Sequence, residues 1–232
     1  MTAPAKNDPP VESATAGGPG TLADAQELVA TPWAVLDDYQ CFGCSPHNAK
    51  GLQLRFKALP DGLATVFQLG SAHESYPGVV HGGLAGVICD ETMGNLIVLR
   101  TGKPAFTTAM RLRYLAPIPV GAPHECRARI VGTGDTGLIN AEADILDATG
   151  GVVATARATY RPVALEAARD RITLSDGDAG RLADVLTASA PALASATAAA
   201  GAPGPASAPA PASVPVSVPV PVSAPATASE ES

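Results

Sequence analysis

The stretch VVHGGLAGVICDETMGNLIVLR, residues 79–100, limits the fold more than any other part of the chain. A histidine and two glycines open it. A helical run of roughly 18 to 20 residues follows, from about Gly82 to Leu99. TGKP then ends the helix, with glycine past the last turn and proline behind it. The run is apolar nearly all round, so packing on one face cannot satisfy it. Such a helix has to be surrounded. Yet two adjacent acids, Asp90 and Glu91, sit inside it.

The flanking segments supply the surround. GLQLRF, residues 51–56, alternates and reads as a strand. PDG at 60–62 is a turn signal, and LATVFQL continues as the second strand of a hairpin. After the helix, AFTTAMRLRYLAP, HECRARIVGTG, GLINAEADILDATG and GVVATARATYRPV each alternate, with glycine-bearing turns between them. Their links are too short for parallel crossovers, so these four strands are expected as an antiparallel meander. The predicted fold class is α+β: about six antiparallel strands in a sheet wrapped around one long central helix.

Composition places that domain within the chain. The 232 residues begin with a Pro/Gly/Ala/Ser-rich stretch and end in a tail almost wholly of Ala, Pro, Ser and Val. Such segments bury too little apolar surface to offset chain entropy. The expectation is therefore disorder over 1–20, a globular domain over 31–163, a partly helical extension over 164–195 and a disordered tail over 196–232. TLADAQELVA, 21–30, reads as a short helix, with Thr21 and Asp24 as a capping pair. A further helix is expected from about Asp178.

Net charge is −7 and no Lys/Arg-rich block appears, which argues against a nucleic-acid partner. No apolar run reads as a membrane span, and no secretory signal is visible at the start, so a cytoplasmic protein with reduced thiols is expected. Cys41 and Cys44 form CFGC, with His47 close behind. A zinc site normally needs four ligands and no second CxxC exists. The reading is a tight turn in which Gly43 relieves backbone strain beside two semi-buried thiols.

A helix that opens on two glycines presents unshielded N–H groups and the positive end of its dipole, which suits an oxyanion. Asp90 lies eight residues after Gly82, which is about 12 Å along the axis. Reacting atoms must approach to about 3–3.5 Å. One helix cannot bring both features to one carbonyl, whereas two antiparallel copies can. Gly86 and Gly94 would allow a close approach by another backbone or a ligand. Each acid taken alone is equally explained by pairing with an arginine, and Arg100, Arg111 and Arg113 are available. Thr107 and Thr108, from composition alone, read as ordinary strand threonines.

HGGLAGVICDETMG, TTAMRLRYLAPIPVG and CFGCSPHNAKGLQLRF together resemble the hotdog-fold acyl-CoA thioesterases, in particular the PaaI-like branch of the 4-hydroxybenzoyl-CoA thioesterase superfamily. The resemblance runs from about Tyr39 to Pro162. It implies a homodimer or a dimer of dimers (a homotetramer) with active sites at the subunit interface, acting on an acyl-CoA or acyl-carrier-protein thioester. It implies no metal and no prosthetic group. His81 and Gly82 would shape the helix start, and the Gly82 N–H, with Gly83, would polarise the thioester carbonyl. Asp90 would activate water or attack the carbonyl, with Glu91 as the second candidate. Thr107 would hold the water or the carboxylate, with Thr108 beside it. Ser75 stands where the branch often carries an amide. Two other readings remain: a hotdog dehydratase, for which HESYPG at 73–78 is suggestive although the familiar spacing lands on Val87, and a non-catalytic acyl-CoA-binding protein.

Overall fold

The computed structural model describes residues 28–134, 136–169 and 171–199. The expectation for 1–20 falls outside these, as do most of the helix expected at 21–30 and most of the tail expected to be disordered over 196–232; residues 196–199 are helical instead. The last part of the 21–30 stretch, Leu28–Val29, is instead a short strand, β1. A 3-10 turn follows at Pro32–Val35. The chain then forms β2 (Phe56–Leu59), β3 (Gly62–Gln68), β4 (Glu74–Tyr76), β5 (Val79–Val80) and α1 (Gly82–Thr101). Four long strands come next: β6 (Ala105–Tyr114), β7 (Pro123–Thr133), β8 (Ile139–Leu146) and β9 (Val152–Pro162). α2 (Leu165–Ala168) and α3 (Asp176–Ala199) close the described chain. GLQLRF enters its strand only at Phe56, because Phe42 and Gly43 use their carbonyls to bind Leu52 and Leu54.

One antiparallel sheet of seven strands runs in the order β1-β2-β3-β7-β8-β9-β6. β7, β8 and β9 form the expected meander, but β6 does not join it at β7. It pairs with β9 at the far edge, and β3 takes the place beside β7. The β6–β7 connection explains the exchange. It is proline-bearing and too long for a hairpin, and it crosses to the segment before α1, where Val80 donates to the Ile118 carbonyl (2.9 Å) and Val120 to that of Gly78 (3.0 Å). Those bonds fix where the helix begins.

Alanine makes room for the helix. On β8 and β9, Ala141 faces Ala158 and Ala143 faces Ala156, while Ile145 faces Ala154, and all are buried. Small side chains on that face let α1 sit close, with Ile88, Met93, Leu96 and Ile97 sealed in the same core. The sheet wrapped on a central helix is the hotdog arrangement. By length and composition α1 would also pass for a membrane span, contrary to the sequence reading, but its apolar side chains are the core of this sheet. Its last turn is capped by Gly102 in the left-handed region (φ 63°), whose N–H reaches the Val98 carbonyl.

α3 covers the end of α1 that the sheet leaves open. Val98, Leu182 and Leu186 form a second apolar cluster with Trp33, Val35, Leu165 and Leu174 around it. Leu182 is fully buried. The substitution Leu182→Ala is expected to cost about 2–5 kcal/mol in a urea unfolding transition. A loss no larger than that of a surface leucine would show α3 to be an appendage, not part of the core.

Candidate active site

The helix start is built from three neighbours. His81 is the N-cap, with extended backbone, and its Nδ1 accepts the Gly83 N–H at 2.9 Å. The imidazole proton therefore sits on Nε2. Tyr114, from β6, donates its hydroxyl to the Gly82 carbonyl at 2.8 Å. A Cβ on Gly82 would lie 3.1–3.2 Å from that tyrosine, and one on Gly83 would lie 3.0 Å from the His81 ring. At both positions a Cβ would need the neighbouring ring to shift by a few tenths of an ångström. Their amides differ in use. The ring takes the N–H of Gly83, whereas that of Gly82 meets no acceptor among the described residues.

Asp90 projects from the middle of α1. Its Oδ1 accepts the Thr107 hydroxyl at 2.8 Å and the Tyr160 hydroxyl at 2.8 Å. Among the described residues no donor meets Oδ2. Thr107 reaches the acid because β6 carries a bulge against β9: Thr107 faces Tyr160, Ala109 faces Thr159, and Thr108 is the extra residue. Thr108 turns away and donates to the Thr159 carbonyl at 2.9 Å, holding the bulge and not the acid. Burial, and then the neighbouring Asp90, push the Tyr160 phenol well above its ordinary range, so it stays a donor.

Glu91 points elsewhere, as adjacent helix positions must. Its Oε1 accepts from the Cys41 thiol at 3.0 Å and its Oε2 from the Asn95 amide at 3.2 Å. Burial pushes its carboxyl up to about 7, helped by Cys41 and Asp90 nearby and opposed by Cys44. Gly43 is not glycine for reasons of backbone strain, since its φ is not positive. A Cβ there would lie 2.2 Å from the Glu91 side chain. Ser75 is exposed at the register shift of the β4–β5 hairpin, and no hydrogen bond among the described residues ties it to the glycines or to Asp90. A Cβ on Gly86 or Gly94 would lie at ordinary contact distance from Met110 or Tyr160 of this same chain.

Both acids line a cavity of about 200 Å³ with Trp33, Tyr39, Thr107 and Tyr160. A larger one of about 640 Å³ shares Trp33, Tyr39 and Ala105 with it and is walled by Leu36, Phe106 and Leu174. The arrangement offers a carboxylate with one oxygen fixed by two hydroxyls and the other free, beside an apolar space. Neither Tyr160 nor Tyr114 carries a site role in the sequence reading. Each sits on a distant strand, and only strand order brings it to α1.

Residues 77–159 match the family model described as the thioesterase superfamily. The matched segment contains the helix start, Asp90 and Thr107 but stops short of Tyr160 and excludes the CFGC turn. No curated protein matches the chain. Among solved structures, one thioesterase superfamily protein is 22% identical over 50% of this chain and 56% of its own, with a TM-score of 0.46. The match thus spans little more than half of that protein's length. A Streptococcus mutans protein bound to acetyl CoA is 21% identical over 56% of this chain and 96% of its own (TM-score 0.46). A phenylacetic acid degradation-related protein from Ralstonia eutropha is 26% identical over 52% and 92% (TM-score 0.45).

Replacing Tyr160 with Phe leaves the half-buried Asp90 carboxylate with one hydroxyl donor in place of two. It is expected to cost about 1–3 kcal/mol in thermal or urea unfolding, while an unchanged transition would show that solvent serves Asp90 equally well.

Proposed function

We propose that this chain is a thioester hydrolase that converts an acyl-CoA or acyl-carrier-protein thioester to a free acid and a thiol, with paired sites between two copies. Asp90 carries the reading. Its carboxylate is aimed by Thr107 and Tyr160 on a cavity wall, within a segment that matches the thioesterase superfamily. Glu91 has both oxygens engaged by Cys41 and Asn95, so Asp90 is assigned the chemistry.

Asp90 takes a proton from water, and the resulting hydroxide adds to the thioester carbonyl carbon. The carbonyl oxygen becomes an oxyanion, stabilised by the unused N–H at a helix start. The oxyanion then re-forms the carbonyl, the C–S bond breaks, and the departing sulfur takes the proton from Asp90. The hydrogen bonds to Oδ1 leave Oδ2 to face the water.

The N–H of Gly82 in the same chain is about 12 Å away along the helix, so a second copy has to supply it. Among the described residues no strand pairs with the outer edge of β6, which carries the exposed Met110 and Tyr114. Joining two copies along this edge would cover those side chains and set two helices antiparallel. The apolar cavity of about 640 Å³ beside the acid suits the acyl group. The dehydratase reading gains nothing from His73, whose ring lies 3.3 Å from the Gly70 carbonyl.

The test is thiol release from a panel of short, long and aryl CoA thioesters. Asp90→Asn is expected to lower kcat by about 10²–10⁴-fold with little change in KM, and Glu91→Gln by less than about tenfold. Full turnover in Asp90→Asn would overturn the assignment of the base. Tight acyl-CoA binding by the folded wild-type protein without thiol release would overturn the hydrolase reading itself.

A further inference from the structure

The CFGC turn and Glu91 belong to no step of the proposed reaction, yet they meet across the fold. Cys41 Sγ, Cys44 Sγ and a carboxylate oxygen of Glu91 all lie within 4.8 Å of one another. The two thiols come from one turn, closed by the Ser45 N–H on the Cys41 carbonyl (3.3 Å), and the acid comes from the middle of α1. From this convergence we propose that Cys41, Cys44 and Glu91 form a binding site for a tetrahedral divalent cation of the zinc type, which clips the turn to the central helix.

Four features support a site over a chance meeting. The donor set is two sulfurs and one oxygen, which suits zinc and is wrong for calcium or magnesium, whose sites are built from oxygens. The Gly43 N–H points at Cys41 Sγ at 3.3 Å, which is the sense of hydrogen bond that stabilises a ligating thiolate. Asn95 donates to the other carboxylate oxygen of Glu91 at 3.2 Å, fixing the acid from behind and leaving the first oxygen directed at the thiols. Gly43 itself leaves the space into which the Glu91 side chain descends.

The sequence could show the pair of thiols and no more. The third ligand is 50 residues away from Cys41 and looks, in sequence, like a catalytic candidate. Three protein ligands leave one tetrahedral position for water, and Glu91 also lines the cavity of about 200 Å³ through which water can arrive. A bound cation would hold Glu91 away from Asp90 and stiffen the wall that carries Tyr39. Binding exchanges the thiol protons for the metal and involves no change of oxidation state.

The experiment uses the full chain, purified without chelator and then loaded with zinc or cobalt(II). About one zinc per chain is expected to survive buffer exchange. The cobalt form is expected to show thiolate-to-metal charge transfer and tetrahedral ligand-field bands. Both should vanish in the double variant Cys41→Ser/Cys44→Ser, while Glu91→Gln should keep the charge transfer but weaken zinc affinity by about 10–100-fold or more. Should the double variant not fold, alkylation of the wild-type thiols mapped by mass spectrometry serves instead. Zinc is expected to protect Cys41, with the buried Cys89 and Cys126 as internal controls. No retained zinc, together with a cobalt spectrum that lacks thiolate charge transfer or Cys41 alkylation that zinc does not slow, would overturn the proposal. So would recovery of Cys41 and Cys44 as a disulfide in freshly reduced protein.

Discussion

Burying a helix that is apolar on every side is the constraint on which the rest of this structure depends. A flat sheet would leave much of α1 in water. The strands solve this by giving up volume: the face of β8 and β9 that meets the helix is lined with alanine, and the sheet closes around what the alanines vacate. Where the sheet ends, α3 continues the cover over Val98. The cost of such a fold is a core in which few positions tolerate a change of volume.

Within that core the two adjacent acids are kept apart by helix geometry and then committed to different neighbours. Asp90 faces the bulged end of β6 and the inner face of β9, where hydroxyls meet it. Glu91 faces the CFGC turn, where a thiol and an amide meet it. Hydroxyls hold the first acid, and a thiol and an amide hold the second. One oxygen of Asp90 remains open to the cavity, and this asymmetry, not the presence of two carboxylates, separates the candidate base from its neighbour.

Gly43, Gly82 and Gly83 each meet a side chain whose approach local sequence does not show. Gly82 and Gly83 were expected to expose amides. A tyrosine and a histidine ring also lie against them, and only one of the two amides stays open. Gly43 was expected to relieve a strained turn. It relieves a collision with a side chain from another element. In both cases the small residue was visible and its neighbour was not.

The sequence by itself determined the central helix with its glycine-opened start and glycine-capped end, the alternating strands, the α+β class and the presence of two adjacent acids in that helix. These follow from spacing, capping and patterning, which act within a few residues of chain. The tertiary structure alone decided that β6 lies beside β9, that a bulge turns Thr107 to Asp90 while Thr108 bonds to the next strand, that Tyr160 and Tyr114 serve the site, that Ser75 is bonded to none of it, and that Glu91 meets Cys41. Each of these depends on which distant strand or turn packs against α1. That choice is made by burial and by chain connections summed over the whole domain, so no local pattern records it.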